Sequence, residues 1–275
     1  MFHNVELPRI NLEILKNNFY SVNGAKNINN TISFIDFTTI STTISPNIFQ
    51  KNFTLNKLSI SLGNSYKYNY YNNQINFQYS LYNQIRNELN KVFFEKITKL
   101  GELHRRGDIK FDLDIKDKSE NMGRRIYSRL LNVSNYIATQ GRIGPAQWFV
   151  SNTKTYNYIL SNLIDMTLNY NSSNELMIGN TPYIINDLVD DDVILLGRQN
   201  KMDTAGVHCF ILSDDNNNID VQQITYPTGD SELIMFYAIE DIGLHSEYQF
   251  FKINTRSLSY YRYKKLEKIK ELYNL

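Results

Sequence analysis

Apolar residues recur every three or four positions between residues 78 and 104, which is the strongest periodic pattern in the chain. The series is Leu81, Ile85, Leu89, Val92, Phe93, Ile97 and Leu100, with charged side chains between its members. At 1.5 Å per residue, a helix of this length would be about 40 Å long. The pattern predicts one long amphipathic helix, in which Gly101 weakens the last turn.

Two shorter helices are predicted on either side of a buried strand. The first has an apolar face made of Met122, Ile126, Leu130, Val133 and Ile137. Gly141 and Gly144-Pro145 end it. The run from Trp148 to Ser151 is too apolar for a half-exposed strand and favours the interior of a sheet. Asn152 or Thr153 is the expected N-cap of the helix that follows.

Alternation of apolar and polar residues predicts strands in most of the remaining chain. Residues 32–62 are rich in Thr, Ser, Ile and Phe, alternate at residues 53–55 and 58–62, and are interrupted by Pro46, which predicts two long strands joined at a turn. Since no predicted helix adjoins this hairpin, we expect it to project from the body and to bury its apolar residues on a neighbouring molecule. Further strands are predicted at residues 109–115, 175–178, 182–185, 193–196, 207–212, 221–225, 233–239 and 249–254.

The order of these elements indicates an α+β protein. Residues 1–30 show no clear period and are interpreted as an extended arm. The chain then continues as a hairpin, a long helix, a strand, two helices with a buried strand between them, and many short strands. Its 275 residues are enough for one large core or two modest ones.

Composition excludes several classes of function. Lys and Arg total 29 against 28 Asp and Glu, which is not the strongly basic balance of a DNA-coating protein. Cys209 is the single cysteine of the sequence and lies in an apolar run, so we expect no intrachain disulfide and an inert, buried thiol. Apolar runs fall far short of the ~20 residues of a membrane span, and the N-terminus lacks the features of a secretory signal. Function in a cytoplasm is the expectation.

No pattern of reactive residues points to catalysis. The four histidines are not spaced as a local metal motif, and neither a nucleophile elbow nor a phosphate-binding loop is present in the sequence. We therefore expect no enzyme, metal or cofactor. Asp187 with Asp190–Asp192 has the ligands for a divalent cation, but a solvated turn is the favoured interpretation. Residues 141–145 likewise favour a helix-to-strand turn over a phosphate cradle.

Basic residues cluster at three places. Arg105-Arg106 follows the long helix and Arg124-Arg125 begins the next one. Each pair either forms ion pairs between subunits, lines a surface that faces DNA, or ends a helix in solvent. Beyond residue 255, tyrosines lie among lysines and arginines, a pattern that suits nucleic-acid contact or an edge strand protected by lysines, with the second favoured.

Residues 124–211 carry a specific run of motifs. A helix leads through Gly141-Arg142-Ile143-Gly144-Pro145 into Trp148-Phe149-Val150-Ser151-Asn152 and a further helix. The run continues with Pro182-Tyr183-Ile184-Ile185, three aspartates, Val193-Ile194-Leu195-Leu196-Gly197-Arg198 and Asp203-Thr204-Ala205-Gly206-Val207-His208-Cys209-Phe210. This order resembles the major capsid proteins of myoviruses, which share the tailed-phage fold first seen in the Hong Kong ninety-seven phage.

The resemblance implies a domain order for the whole chain. Residues 1–30 would be an N-terminal arm and residues 31–76 an extended hairpin loop. Residues 77–120 would hold the spine helix of a peripheral domain. Residues 121–222 would form an axial domain, whose central sheet is flanked by helices. Residues 223–275 would return to the peripheral domain and end in the basic segment.

The resemblance also implies a structural, non-enzymatic function. The chain would assemble with copies of itself into hexamers and pentamers of an icosahedral bacteriophage capsid, built in the host cytoplasm. Double-stranded DNA would be held by weak non-specific contact, with portal, scaffold and decoration proteins as further partners and no membrane. Contacts between subunits are predicted at Phe53, Leu55, Leu58, Ile60, Arg105, Arg106, Arg124, Arg125 and Arg142.

Three alternatives stay open at this point. One is a pentameric vertex paralogue of the same fold. The others come from different classes: a β-rich carbohydrate-binding module and a nucleic-acid-binding module.

Overall fold

The computed structural model describes residues 9–35, 48–62, 74–103, 122–141, 144–163, 168–198, 206–227, 230–242, 250–255, 266 and 270. Its helices are α1 (Gln74–Leu103), α2 (Met122–Gly141) and α3 (Thr153–Asn162), preceded by a short 3-10 turn at Leu12–Leu15. Its first strands are β1 (Ser21–Ala25), β2 (Asn29–Ile35), β3 (Ile48–Thr54), β4 (Asn56–Leu62), β5 (Trp148–Ser151), β6 (Asn169–Tyr170) and β7 (Leu176–Ile178). The others are β8 (Thr181–Ile185), β9 (Val193–Gly197), β10 (Gly206–Leu212), β11 (Gln222–Thr225), β12 (Ser231–Ile242) and β13 (Phe250–Asn254).

The chain divides into two compact units. The first comprises Met1–Phe93 and Gln199–Ser246, and the second comprises Phe94–Arg198 and Glu247–Leu275. Helix α1 contributes its longer N-terminal part to the first unit and its last ten residues to the second. Strands β10 and β12 lie on opposite sides of the predicted boundary between residues 222 and 223, but they pair in one sheet of the first unit. That boundary is therefore not a boundary of either unit.

The first unit is organised around β12, a strand of 12 residues. Its C-terminal half pairs antiparallel with β10, and its N-terminal half pairs with β4 and β11. Strand β1 extends the sheet by running parallel to β10. The segment before β1 packs against α1, where the Tyr20 hydroxyl lies 3.0 Å from Asn90 Oδ1 and the Tyr20 and Phe93 rings are 4.9 Å apart. Residues 9–25 are thus built into this unit, which corrects the expectation of an extended arm over that stretch.

The second unit contains a six-stranded sheet in the order β13-β9-β5-β8-β7-β6. Strand β5 is parallel to β8 and antiparallel to β9, and all four of its residues are buried, as the apolar run predicts. Helices α2 and α3 place Ile126, Leu130, Val133, Ile137 and Ile159 in the core that covers this sheet. Strand β13 pairs with β9, so residues 250–254 belong here and not with β12.

The predicted helices and most predicted strands are confirmed. Helix α1 begins four residues before the predicted start, and α3 begins at Thr153 with Asn152 as its N-cap. The strands after residue 175 match β7 to β13 to within a few residues. The strand predicted at residues 109–115 lies outside the described part of the chain.

Candidate assembly surfaces

The two glycine-containing motifs of the family-like run meet in the second unit. Gly144 adopts a φ of 114°, a conformation that favours glycine, and leads into β5 through Pro145. Arg198, directly after β9, donates from Nη1 to the Pro145 carbonyl over 2.5 Å. Burial lowers the pKa of the Arg198 guanidinium by desolvation. Arg198 thereby links the end of β9 to the backbone just before β5.

The residues predicted as hairpin contacts between subunits are buried within their own chain. Phe53, Leu55 and Ile60 are each less than 9% exposed. The Phe53 ring lies 4.5 Å from the Phe210 ring of β10, and Ile60 pairs with Leu233 of β12. Leu58, on the same strand as Ile60, is partly buried. This corrects the expectation that the strands bury their apolar side chains only on a neighbouring molecule.

Strands β2 and β3 form the predicted antiparallel hairpin. Contrary to the expectation, its apolar face is buried on the same chain and its other face is polar. The inner face packs on the β10–β12 sheet, and Lys51 Nζ is fixed there by the Asp241 carbonyl at 2.7 Å and Glu240 Oε2 at 3.0 Å. The outer face is polar, with Thr31 donating to Asn52 and Thr54 donating to Asn29. Ile48, the first residue of β3, is 65% exposed. The described outer face of the hairpin is therefore polar, with an exposed apolar side chain at the first residue of β3.

Only part of the predicted set of arginines lies in the described chain. Arg105, Arg106 and Arg142 fall outside it. Arg124 and Arg125 are exposed in the first turn of α2. Arg129 is exposed one turn further along and was not predicted, although the spacing of Arg125 and Arg129 by four residues places them on one helical face.

The aspartates between β8 and β9 hold the start of α3. Asp187 Oδ1 accepts from the Thr153 backbone N–H over 2.8 Å, which lowers the pKa of Asp187. Asp191 accepts from Asn152 Nδ2 and pairs with Lys154 Nζ, both over 2.6 Å. Within the described residues, no group of three or more His, Cys, Asp or Glu side chains is arranged to hold a metal ion. The sequence did not reveal this role, because 34 to 39 residues separate the partners.

Two residues with reactive side chains lie buried in the first unit. Burial raises the pKa of the Cys209 thiol far above its usual range, and the predicted burial of this thiol is confirmed. The neighbouring His208 is 3% exposed, and its Nδ1 lies 3.1 Å from Asn23 Nδ2. Successive side chains of a strand point to opposite faces of the sheet, so the adjacent Cys209 and His208 are not arranged as a nucleophile with its base.

An open depression of about 500 Å³ lies beside the loop after β10, with Arg9, Lys26, Asp214 and Asn218 among its lining residues. Asp214 accepts hydrogen bonds from the Asn218 side-chain amide and from the backbone N–H groups of Asn218 and Asn216, which lower its pKa. Its carboxylate is thereby committed to the turn of the loop. The depression has the character of a polar loop surface.

The protein is similar to known proteins in its fold and not in its sequence. The sequence matches no protein-family model, and no curated protein matches it. Its structure is similar to a virus-like particle from Pyrococcus furiosus, with a TM-score of 0.51, 11% identity, and 88% of this chain and 91% of that chain covered. The capsid of the cyanophage P-SCSP1u gives a TM-score of 0.53 at 10% identity, covering 94% of this chain and 93% of that chain.

The chain has the capsid-shell fold. An encapsulin complex from Synechococcus elongatus shares it too, with a TM-score of 0.52, 10% identity and 92% of both chains covered. The α+β capsid fold that the motif run implied is thereby confirmed over nearly the whole chain. In this shell fold, none of the described helices is long and apolar enough to cross a membrane.

Proposed function

We propose that this protein is a structural subunit of an icosahedral bacteriophage capsid, which assembles with copies of itself into hexamers and pentamers around the viral DNA. The supporting observation is the fold, which is similar to phage-capsid and other shell subunits over 88% or more of the chain. The motif run adds to this, because its two halves meet where Arg198 closes the turn before β5. The function would reside in contacts between copies and not in catalysis.

In this proposal the second unit, with its six-stranded sheet and α2 and α3, is the axial domain. The first unit, with α1 and the β12 sheet, is the peripheral domain that carries the hairpin. Since Phe53, Leu55 and Ile60 are buried within the subunit, the hairpin would contact a neighbour through its polar outer face and Ile48. Cross-strand polar pairs of this kind suit a contact that forms after the subunit has folded.

Exposed arginines are the second proposed means of contact. Arg124 and Arg125 would meet neighbouring subunits, and Arg105, Arg106 and Arg142 are proposed for the same role from the sequence. The near-balance of 29 basic and 28 acidic residues supports weak, non-specific contact with packaged DNA. Portal, scaffold and decoration proteins, and assembly in the host cytoplasm, complete the proposal.

Negative-stain electron microscopy of the purified full chain, with the mass measured by light scattering, tests the proposal. Rings, tubes or closed shells are expected. A stable monomer of 32.3 kDa at high concentration would contradict it. Five-fold rings without six-fold ones would identify the vertex paralogue.

The similarity to an encapsulin complex makes a shell of another kind the second candidate. The contents of the particles distinguish the two. A phage capsid subunit produced in phage-infected cells is expected in particles that protect double-stranded DNA from nuclease. Particles that contain protein and no nuclease-resistant DNA would favour the second candidate. The fold does not favour a carbohydrate-binding or nucleic-acid-binding module.

A further inference from the structure

Strand β11 lies at an edge of the sheet in the first unit. Among the described strands it pairs with β12 alone, and both Gln222 and Ile224 are exposed, the latter at 42%. Residues 221–226 read Val-Gln-Gln-Ile-Thr-Tyr and contain no charge, proline or glycine. Such six-residue segments are prone to pair with other strands, and proteins usually protect an exposed edge with lysine, proline or a bulge. Strand β11 is short, but it has none of these protective features.

Strand β11 is firmly held on its inner side. The Gln223 Nε2 donates to Ser231 Oγ over 3.2 Å, and the Tyr226 hydroxyl donates to Glu232 Oε2 over 2.6 Å. At the end of the strand, the Tyr226 N–H donates to the Asp230 carbonyl over 2.9 Å. A partner strand would therefore meet an ordered edge and would lose little entropy in ordering it.

The backbone bond of Tyr226 also shows which groups point away from the sheet. Residues of an antiparallel strand alternate between those that bond to the neighbouring strand and those that point away from it. Because the Tyr226 N–H points toward β12, those of Ile224 and Gln222 do as well. The N–H and C=O groups of Gln223 and Thr225 therefore point outward, to the side where no described strand pairs with β11.

The two ends of β11 differ in shape. Val221, directly before the strand, lines the open depression of about 500 Å³, together with charged residues of both signs such as Arg9 and Asp220. Tyr226 and Pro227, directly after the strand, are exposed, Tyr226 at 45%. The edge thus begins at a depression and ends in an uncharged tip.

We propose that β11 pairs antiparallel with β11 of a second copy, about a two-fold axis that passes through the Ile224 pair. With Ile224 opposite its own counterpart, Gln223 of each copy lies opposite Thr225 of the other, and their outward N–H and C=O groups bond across the axis. Since an isologous contact closes with two copies, it would join neighbouring capsomers and not build a ring. The inference rests on the proposed shell function and names one of its contacts.

The same register brings the tip of each copy to the depression of the other. Tyr226 then lies opposite Gln222, and Pro227 lies opposite Val221, which lines the depression. Because the tip side chains are uncharged, they would enter this lining without placing like charges together. The depression and the exposed Tyr226 are thereby covered by a single contact.

The charges nearest to the centre of the strand do not oppose this pairing. Glu232 lies beside Ile224 on β12, so the two Glu232 side chains would be three strand spacings apart, about 14 Å. That separation exceeds the Debye length of about 8 Å at physiological ionic strength. The two Ile224 side chains would meet at the closely spaced type of cross-strand pair.

Disulfide cross-linking tests the pairing and its register. Ile224→Cys and Gln222→Cys are prepared in the full chain, in which the native Cys209 is buried. In the proposed register the two Cα atoms of position 224 are about 4.5 Å apart, within disulfide range, whereas those of position 222 are about 13 Å apart. After mild oxidation, Ile224→Cys is expected to give at least about tenfold more interchain disulfide than Gln222→Cys on non-reducing gels.

A charge placed at the axis provides an independent test. Ile224→Lys puts two like charges against each other, so closed shells counted by electron microscopy should fall by at least about tenfold while rings remain. Ser61→Lys is the matched control, because it adds the same charge at an exposed position of β4 in the same sheet. It is expected to form shells like the original protein. Circular dichroism checks the folding of both variants.

The outcomes separate this inference from the shell function. Equal cross-linking at positions 222 and 224 in assembled protein, or none at either, would overturn the pairing and leave the shell function standing. Closed shells of Ile224→Lys in normal yield would overturn it too. If the original chain forms neither rings nor shells, the shell function fails, whereas selective cross-linking of Ile224→Cys in solution dimers would still support the pairing.

Discussion

Gly197 shows how closely single residues determine the second unit. A Cβ atom at this position would lie 2.5 Å from the Phe250 ring and 2.6 Å from the Trp148 ring. Both neighbours are fully buried and belong to the strands on either side, so they have little room to move. The glycine is required by packing between two aromatic side chains.

Gly197→Ala is therefore expected to lower the free energy of unfolding by about 1–3 kcal/mol, the usual cost of overpacking a core. Urea denaturation of the unassembled subunit measures it. Gly123→Ala, in the first turn of α2, is the matched control and should be neutral or stabilising, since glycine is unfavourable in helices. Equal effects of the two substitutions would contradict the packing argument.

Asp187 links the stability of the α3 start to pH. Its hydrogen bond from Thr153 lowers its pKa below the ordinary aspartate value. The contribution is thus fully present above that ordinary value and is lost as the pH falls through the lower pKa of the folded state. Asp187→Asn is expected to lower the thermal midpoint at neutral pH and to flatten its decline in acid, as followed by calorimetry. An unchanged acid profile would contradict this role.

At the scale of elements, α3 depends on a cap that is itself held by a distant turn. Asn152 Oδ1 accepts from the Thr155 N–H over 2.8 Å, while its Nδ2 donates to Asp191. Asn152 is 7% exposed, so a partner lost here would leave a buried polar group unsatisfied. The cap and the acidic turn therefore act as one structure.

A double-mutant cycle tests this coupling. Asn152→Asp keeps the capping oxygen but brings two carboxylates together, and we expect a loss of about 1–3 kcal/mol in the free energy of unfolding. Adding Asp191→Asn should recover much of that loss, although the exposed Lys154 pair disappears. Additive effects of the two substitutions in urea denaturation would show that the residues are not coupled.

At the scale of the whole molecule, Cys209 reports the opening of the first unit. The thiol is fully buried in β10, and burial keeps it protonated. A thiol reagent can reach it only after local or global opening. Assembly into the proposed shell would bind only the folded subunit and should therefore suppress this opening.

Labelling of Cys209 is therefore expected to be slow in the native subunit and slower again in assembled shells, in proportion to the assembled fraction. Mass spectrometry after timed exposure to a maleimide measures both rates. The same chain in concentrated denaturant provides the rate for the exposed thiol. Fast labelling of the native subunit would contradict the burial of this residue.

The three helices, the buried strand β5 and the shell fold could all be predicted from the amino-acid sequence. Periodic apolar positions in α1, α2 and α3 and the continuous apolar run of β5 are local properties, and the motif run preserves their order. The helices and β5 could be predicted because each depends on neighbours within a few residues along the chain, whereas the shell fold followed from the resemblance of the motif run.

In contrast, the surface that covers each apolar face and the polar groups that meet are evident from the folded structure alone. Periodicity indicated that Phe53 and Ile60 need burial, but not that β10 and β12 provide it within the same chain. The same holds for Arg198 on Pro145 and for Asp187 on Thr153. These contacts join residues separated by tens of positions or more, and their geometry exists only after the sheets have closed, since local sequence does not encode which distant surfaces become neighbours.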